Sequence, residues 1–143
     1  MAALVVTVVL ALVPCAFAHH GQFYDQCKRV TIEGRVERVE LKNPHNSIVL
    51  RLDDGTAFTV DWINLTRLKS AGILDAAKEA LTSGSRVTVT GYLIRDPAGV
   101  RQVAPKFKGT VDPNTVEARL MRRIDDSFNW GMPPPAFGPD CRQ

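Results

Sequence analysis

Two of the three histidines stand side by side near the beginning of the chain, directly after a long apolar run. If an export peptidase cuts after Ala18, His19 becomes the amino terminus, and its α-amine and ring Nδ1 can then chelate one metal ion. An α-amine has an ordinary pKa of about 7.7, so losing its proton costs little at neutral pH. A second imidazole, from His20 or His45, would complete an all-nitrogen ligand set suited to Cu(II). The sequence therefore contains a candidate copper site at His19, His20 and His45.

The same histidines also have a simpler interpretation, and the sequence leaves both open. The segment Asn43 to Asn46 has good turn chemistry, because proline fixes φ and asparagine bonds to its own backbone. His45 would then be one polar residue of a turn. An exposed pair at the terminus would merely follow from the position of the cut. No pair of cysteines left after such a cut has the spacing of a zinc site.

Catalytic patterns are missing from the sequence. A hydrolytic triad needs a serine or cysteine placed beside a histidine, and no G-x-S-x-G nucleophile elbow occurs here. The acidic pairs Asp53-Asp54 and Asp125-Asp126 are neighbours in sequence, and the first belongs to a turn. We therefore predict that the protein is not an enzyme.

The first 18 residues are typical of a secretory signal peptide. They carry no charge, and an apolar run is followed by Pro14 and by the small-x-small cleavage pattern Ala16-Phe17-Ala18. A membrane anchor is the alternative, since about 18 uncharged residues begin to suffice for a spanning helix. The proline and the cleavage pattern favour removal, so residues 1–18 are predicted to be a signal peptide. The mature protein would be periplasmic or secreted, with no stable membrane anchor.

The remaining residues, 19–143, suffice for one domain with a modest core. The 18 basic and 15 acidic residues are interspersed, which argues against a nucleic-acid partner. Cys27 and Cys141 are the cysteines left after cleavage, and in an oxidising compartment they are expected to form a disulfide. Such a bond closes a loop of more than 100 residues, for which chain entropy gives at most roughly 4 to 5 kcal/mol. Two free thiols are the alternative.

Alternating apolar residues predict the strands. The first long strand has one inward face that changes parity near Glu37 or Arg38, as one extra residue in a bulge would cause. Its inward residues before the change are Val30, Ile32, Gly34 and Val36. A hairpin follows, with its turn at Asp54-Gly55. Its inward residues are Ile48, Leu50, Leu52, Phe58, Val60 and Trp62.

The spacing then becomes helical between Asn64 and Gly84, with Asn64 and Asp75 as expected N-caps. Residues 86–96 return to strand alternation, and a weaker fifth strand is predicted in "VRQVAPKF", where Pro105 indicates an edge. Five strands with a helical insert between the third and fourth predict a mainly β fold, a small OB-like Greek-key barrel over residues 19–109. A generic five-stranded sheet packed on helices is the alternative.

Residues 110–143 are predicted to be a C-terminal extension. Asp112 and Pro113 could start a short helix, since Val116, Leu120 and Ile124 recur every four residues. The Pro-rich tail that follows would be an extended wrap held through Cys141.

Two loops of the predicted barrel suggest where a ligand binds. In an OB barrel, the loop between strands one and two and the loop between strands four and five flank the ligand face. These loops are Lys42 to Ser47 and Arg95 to Arg101, and they make His45, Arg95 and Arg101 the candidate ligand-binding residues. Stacking of nucleic-acid bases is not expected, because aromatic residues are few and Phe58 and Trp62 face the core. The expected partner is a small ligand or an envelope protein; a copper-binding protein and a structural envelope component are the alternatives.

Several short motifs occur in a recognisable order. They are "HH" after the leader, V-x-I-x-G-x-V at Val30 to Val36, "NPH" at Asn43 to His45, Asp54-Gly55, Trp62, and V-T-V-T-G-Y-x-x-R-D at Val87 to Asp96. This set resembles a family of small exported bacterial proteins catalogued as a domain of unknown function. The resemblance covers roughly residues 19–107. It implies a secreted or periplasmic β-rich domain and supplies no activity or site residue.

Overall fold

The structure, a computed structural model, describes residues 22–135 and Cys141. The predicted signal peptide and the terminal histidines His19 and His20 lie outside the described residues. Within the described ranges, no helix has both the length and the apolar character needed to cross a bilayer.

The described residues form six strands and three short helices. In chain order they are β1 (Tyr24–Glu40), β2 (Asn46–Arg51), β3 (Ala57–Trp62), α1 (Leu65–Ser70), α2 (Leu74–Ala80), β4 (Arg86–Ile94), α3 (Pro97–Val103), β5 (Thr115–Arg123) and β6 (Asn129–Gly131).

The strand pairings close the sheet on itself. β1 pairs antiparallel with both β2 and β4, β2 pairs with β3, and β4 pairs with β5. A parallel ladder between β3 and β5 completes the ring, and β6 adds to the other end of β5. The order β1-β2-β3-β5-β4, with helices between β3 and β4, is that of an OB-like Greek-key barrel. The predicted fold class is confirmed.

The long strand β1 bends, so it pairs with two neighbouring strands. Its first part, up to Arg35, pairs with β4, and its last part pairs with β2. The register with β2 shifts between Val36 and Arg38, so the predicted bulge is confirmed. A Cβ at Gly34 would lie 2.9 Å from the carbonyl oxygen of Arg51, which explains why glycine occupies this bend.

The hairpin and the first helix also match the prediction. Gly55 adopts φ +85° in the turn between β2 and β3, a conformation that glycine adopts readily. The Asn64 side chain caps α1 by accepting a hydrogen bond from the Arg67 backbone N–H at 2.9 Å. Asp75 does not cap α2: Ile73 holds the N-cap position, and Asp75 lies in the first turn.

The prediction was wrong for the last third of the chain. The segment "VRQVAPKF", predicted as the fifth strand, instead contributes to α3, and Arg95 to Arg101 is therefore not an open loop. Asp96 caps this helix by accepting from the Gly99 N–H at 2.7 Å. The short helix predicted after Asp112 is instead β5. A repeat of four residues also equals two strand periods, so the spacing of its apolar residues fits both structures.

The core fills the barrel interior and the space beneath α1 and α2. Its fully buried members are Val36, Ile48, Leu50, Val60, Leu68, Ala77, Val87, Val89, Val116 and Met121. Most of them are the inward residues that alternation predicted. The disulfide between Cys27 and Cys141 is present, with its Cα atoms 5.5 Å apart, so the expected pairing is confirmed.

Candidate ligand groove

A groove of about 860 Å³ runs along one side of the barrel. It is formed by the start of β1, the turn between β1 and β2, the end of β3 with the start of α1, the middle of β4 and β5, and the chain from β6 onward. We call it the ligand groove. Its lining residues are Phe23, Tyr24, Gln26, Pro44, His45, Asp61, Trp62, Ile63, Asn64, Arg67, Tyr92, Glu117, Ala118, Arg119, Trp130, Met132 and Pro133 to Pro135.

Two carboxylates lie side by side in this lining. Asp61 on β3 and Glu117 on β5 are register partners in the parallel ladder that closes the barrel. Partner residues on neighbouring strands extend to the same face of a sheet. The closure of the barrel therefore brings together two acidic side chains that are far apart in sequence.

A tyrosine holds the first of these carboxylates. The Tyr24 hydroxyl donates a hydrogen bond to Asp61 Oδ2, and Tyr24 is only 4 % exposed. Burial, with the negative charge of Asp61 as the next cause, raises the pKa of the Tyr24 hydroxyl far above its usual range. The phenol thus remains a donor, and the orientation of Asp61 is fixed.

Glu117 has a different environment. Burial raises the pKa of its carboxyl, and the guanidinium of Arg119 opposes that effect with a hydrogen bond of 2.8 Å. The nearby charge of Asp61 acts in the same direction as burial. The Glu117 carboxyl therefore keeps its proton to a higher pH than an exposed glutamate does.

A β-bulge places Arg119 in the groove. Thr90 pairs with Leu120 and Gly91 with Ala118, so Arg119 is the extra residue of β5. Bulges of this kind turn a side chain away from the regular alternation. The Arg119 guanidinium carbon lies 5.8 Å from the centre of the Tyr92 ring, within cation–π range.

Tryptophan rings form the apolar part of the wall. Trp62 packs edge-on against Trp130, with ring centres 5.3 Å apart, and against Phe128 at 6.2 Å. Trp62 is 4 % exposed, and within residues 22–135 and Cys141 its Nε1 has no hydrogen-bond acceptor. Buried indole N–H groups usually have a partner, so this donor marks the groove as a site where an acceptor is missing.

Two asparagines hold the turn that carries His45. Asn46 is fully buried; its side chain accepts from the Lys42 N–H at 2.7 Å and donates to the Ile63 carbonyl. Asn43 bonds to Thr66 at the start of α1, and the Asn43-Pro44 peptide is cis. The turn is therefore anchored to the end of β3 and to α1, and His45 lines the groove.

The segment from Pro133 to Pro135 forms another wall of the ligand groove, which we call the proline wall. The Tyr92 hydroxyl donates to the Pro135 carbonyl at 3.3 Å, and Pro134 is buried. A few residues later, the disulfide ties Cys141 to Cys27 on β1. The proline wall is thus held at Pro135, and the chain beyond it is tied to β1 at Cys141.

The structure separates the three residues predicted to bind a ligand. His45 lines the ligand groove, whereas Arg95 lines a second depression of about 250 Å³ and Arg101 lines neither. The Arg95 side chain donates to the Gln22 carbonyl at 3.0 Å. Among the described residues, no three His, Cys, Asp or Glu side chains are grouped as metal ligands; His19 and His20 are outside that range.

Sequence reasoning missed the residues that give the groove its chemistry. No site role was predicted for Asp61, and Glu117 and Arg119 lie in the segment that was predicted to be a short helix after Asp112. The sequence does contain a signal for Asp61. It is a charged residue between Val60 and Trp62 at the end of a strand, where a loop begins. The other two depend on the pairing of β5 with β3, which the sequence pattern does not specify.

The fold and the groove together define a small OB-like β-barrel protein with an open lateral groove. The chain belongs to a family of unknown function, DUF6152, whose family model matches residues 6–101. No curated protein matches the chain. Among solved structures, a chain from the crystal structure of the S. pombe Stn1–Ten1 complex is similar, with 11% identity and a TM-score of 0.47. The alignment covers 69% of this chain and 60% of that one.

Proposed function

We propose that this protein is a non-enzymatic module, exported to the periplasm or the medium, that binds a small ligand in the ligand groove. The observation that carries the proposal is the Trp62 indole, which lines the groove with its Nε1 donor buried and unpaired among the described residues. Leaving a buried donor unpaired costs roughly 1 to 3 kcal/mol. Nε1 is closed to solvent, so a ligand oxygen that reached it would have to shift the ring or its cover, and would then remove that cost.

The remaining chemistry of the groove supports the same function. Its volume lies in the range of small-molecule sites, roughly 300 to 1,000 Å³. The two described groups whose pKa values are raised mainly by burial, Tyr24 and Glu117, both line it, and such groups concentrate at functional sites. Its described lining includes no Ser, Thr, Cys or Lys side chain, which favours binding over covalent catalysis by those nucleophiles.

The tryptophan signals of the protein can be used to detect ligand binding in the groove. Its only two tryptophans, Trp62 and Trp130, both line the groove. In a ¹H–¹⁵N spectrum of the purified protein, the two indole N–H signals therefore report occupancy of the groove directly. A library of small polar fragments should contain members that shift both signals, with the larger shift at Trp62.

Two variants serve as controls. Trp62→Phe removes the unpaired donor but keeps an aromatic ring, and it should weaken the binding of every fragment that shifts the Trp62 signal. Arg101→Ala removes an exposed arginine outside the groove and should change nothing. A library in which no member shifts either indole signal would contradict the proposal.

A copper-binding function is the second candidate, and a specific juxtaposition favours it. Phe23, only four residues after His19, lines the same groove as His45. A residue spans at most about 3.6 Å of extended chain, so copper binding by His19 and His45 together requires His45 to lie within about four such spans of Phe23. Cu(II) would then be held by the His19 amine and ring together with His20 or His45.

Processing of the leader provides the test for copper. Intact mass of the exported chain establishes whether the cut falls after Ala18. Copper titration is then compared between this chain and one with a single extra residue before His19, which removes the α-amine from the chelate. Equal affinity in the two chains would reject the copper function. A purely structural envelope component, the third alternative, would give no response in either the fragment or the copper experiment.

A further inference from the structure

We infer that the ligand of the groove is a neutral saccharide chain, an inference that rests on the proposed function and names its ligand class. The charged side chains of the described lining are balanced: Asp61 and Glu117 face Arg67 and Arg119. A groove without a net charge gives little attraction to a ligand of either sign. It suits a ligand that is polar and uncharged.

The hydrogen-bonding groups call for a partner that both donates and accepts. Trp62 Nε1 is a donor without an acceptor among the described residues. Asp61 uses Oδ2 for Tyr24, and its Oδ1 accepts no hydrogen bond from a described residue. A hydroxyl group donates one hydrogen bond and accepts two, so different hydroxyls of one saccharide chain match both kinds of group.

The two arginines of the groove differ in their contacts. Arg119 already pairs with Glu117 and covers the Tyr92 ring. The Arg119 charge and one face of the Tyr92 ring are therefore already in use. Arg67, at the start of α1, has no ion pair within the described chain and can donate to hydroxyl oxygens at the rim.

The aromatic rings of the groove also suit a saccharide ligand. Phe23 and Trp130 are half-buried in the lining, so each offers both packing and an accessible surface. Rings of this kind provide large, rigid apolar surface at little cost in conformational entropy. Sugar rings carry apolar C–H faces beside their hydroxyls, and OB barrels are among the folds that bind oligosaccharides. A volume of about 860 Å³ has room for more than one sugar unit.

Tryptophan fluorescence and the indole N–H signals test this inference with defined probes. The purified protein is titrated with maltotetraose, cellotetraose and N,N′,N″,N‴-tetraacetylchitotetraose. We expect at least one of them to shift the Trp62 and Trp130 signals in a saturable way. Because the ligand is uncharged, its affinity should change by less than about twofold between low and high salt.

Variants separate hydroxyl recognition from charge recognition. Trp62→Phe should weaken the saccharide that binds by about tenfold, and Arg67→Ala by about fivefold, each through one lost hydrogen bond. Arg101→Ala is the matched control for Arg67→Ala, since both arginines lie on helices. Asp61→Asn, which keeps an acceptor and removes the charge, should weaken binding by less than about threefold.

The two possible failures are distinguishable. If charged or aromatic fragments shift the indole signals and none of the three saccharides does, the saccharide inference is overturned and ligand binding in the groove stands. If neither set shifts them, the proposed function fails as well. A saccharide whose affinity falls steeply with salt or is abolished by Asp61→Asn would also overturn the inference.

Discussion

Asp61 and Glu117 lie opposite one another in the parallel ladder between β3 and β5, at the step that closes the barrel. The same ladder therefore does two things. It seals the core through Val60 and Val116, which are fully buried register partners, and it brings two carboxyls together in the ligand groove. The stability of the barrel and the chemistry of the groove consequently depend on the same few residues.

The raised pKa of Glu117 predicts how stability changes with pH. Because the folded pKa lies above the ordinary value of 4.5, the folded state holds a proton that the unfolded chain has already lost. The stability from this group is fully present below pH 4.5 and is lost as the pH rises through the folded pKa. Residue 117 cannot ionise in Glu117→Gln. The free energy of unfolding of this variant should therefore increase, relative to that of wild type, from pH 4 to pH 7.

Urea unfolding of the two proteins across that pH range measures the effect. Glu79→Gln on α2 controls for the general loss of one carboxylate. If the free energy of unfolding of Glu117→Gln minus that of wild type stays constant or decreases as the pH rises, burial does not dominate the titration of Glu117.

The hydrogen bond from Tyr24 to Asp61 should contribute more to stability than the one from Tyr92 to Pro135. The first has a carboxylate acceptor, and charge-assisted bonds are roughly twice as strong as neutral ones. Tyr24→Phe should lower the free energy of unfolding at pH 7 by about 1.5 to 3 kcal/mol, and Tyr92→Phe by about 0.5 to 1.5 kcal/mol. Both tyrosines are 4 % exposed, so the two variants are matched for burial. Equal losses in urea unfolding would refute the comparison.

Asn46 should be the most sensitive polar residue of the turn that carries His45. Its alanine variant leaves the Lys42 N–H and the Ile63 carbonyl without partners, which should cost about 2 to 4 kcal/mol of unfolding free energy. Asn43→Ala, at an exposed position of the same turn, should cost less than about 1 kcal/mol. Chemical denaturation measures both, and the prediction fails if Asn43→Ala proves the more damaging change.

The Cys27–Cys141 disulfide should stabilise the barrel and hold the proline wall of the groove. The two cysteines are 114 residues apart, so replacing both with serine should lower the unfolding free energy by up to roughly 4 to 5 kcal/mol. The fluorescence of Trp130 should change as the tail loosens, since Pro133 to Pro135 line the groove beside it. Wild-type protein treated with a reductant should match the double variant. Unchanged stability after reduction, verified by a mass gain of two hydrogens, would contradict the role of the bond.

The sequence alone was enough to predict the first two thirds of the barrel. Apolar residues at every second position lie on one face of a strand, whichever strands pair with it. Ile48, Leu50 and Val60 could therefore be placed in the core. The turn at Gly55 and the cap at Asn64 could also be predicted, because local backbone geometry and hydrogen bonding decide them. The pairing of Cys27 with Cys141 was predicted because these are the two cysteines that remain once the predicted signal peptide is removed.

The tertiary structure alone decided the rest. The spacing of Val116, Leu120 and Ile124 fits a helix and a strand equally, and only the vacant edges of β3 and β4 select the strand. That choice puts Glu117 beside Asp61 and, through a bulge, turns Arg119 over Tyr92. Local pattern determines which face of an element is apolar, whereas the groove consists of contacts between elements distant in sequence, and these form only when the barrel closes.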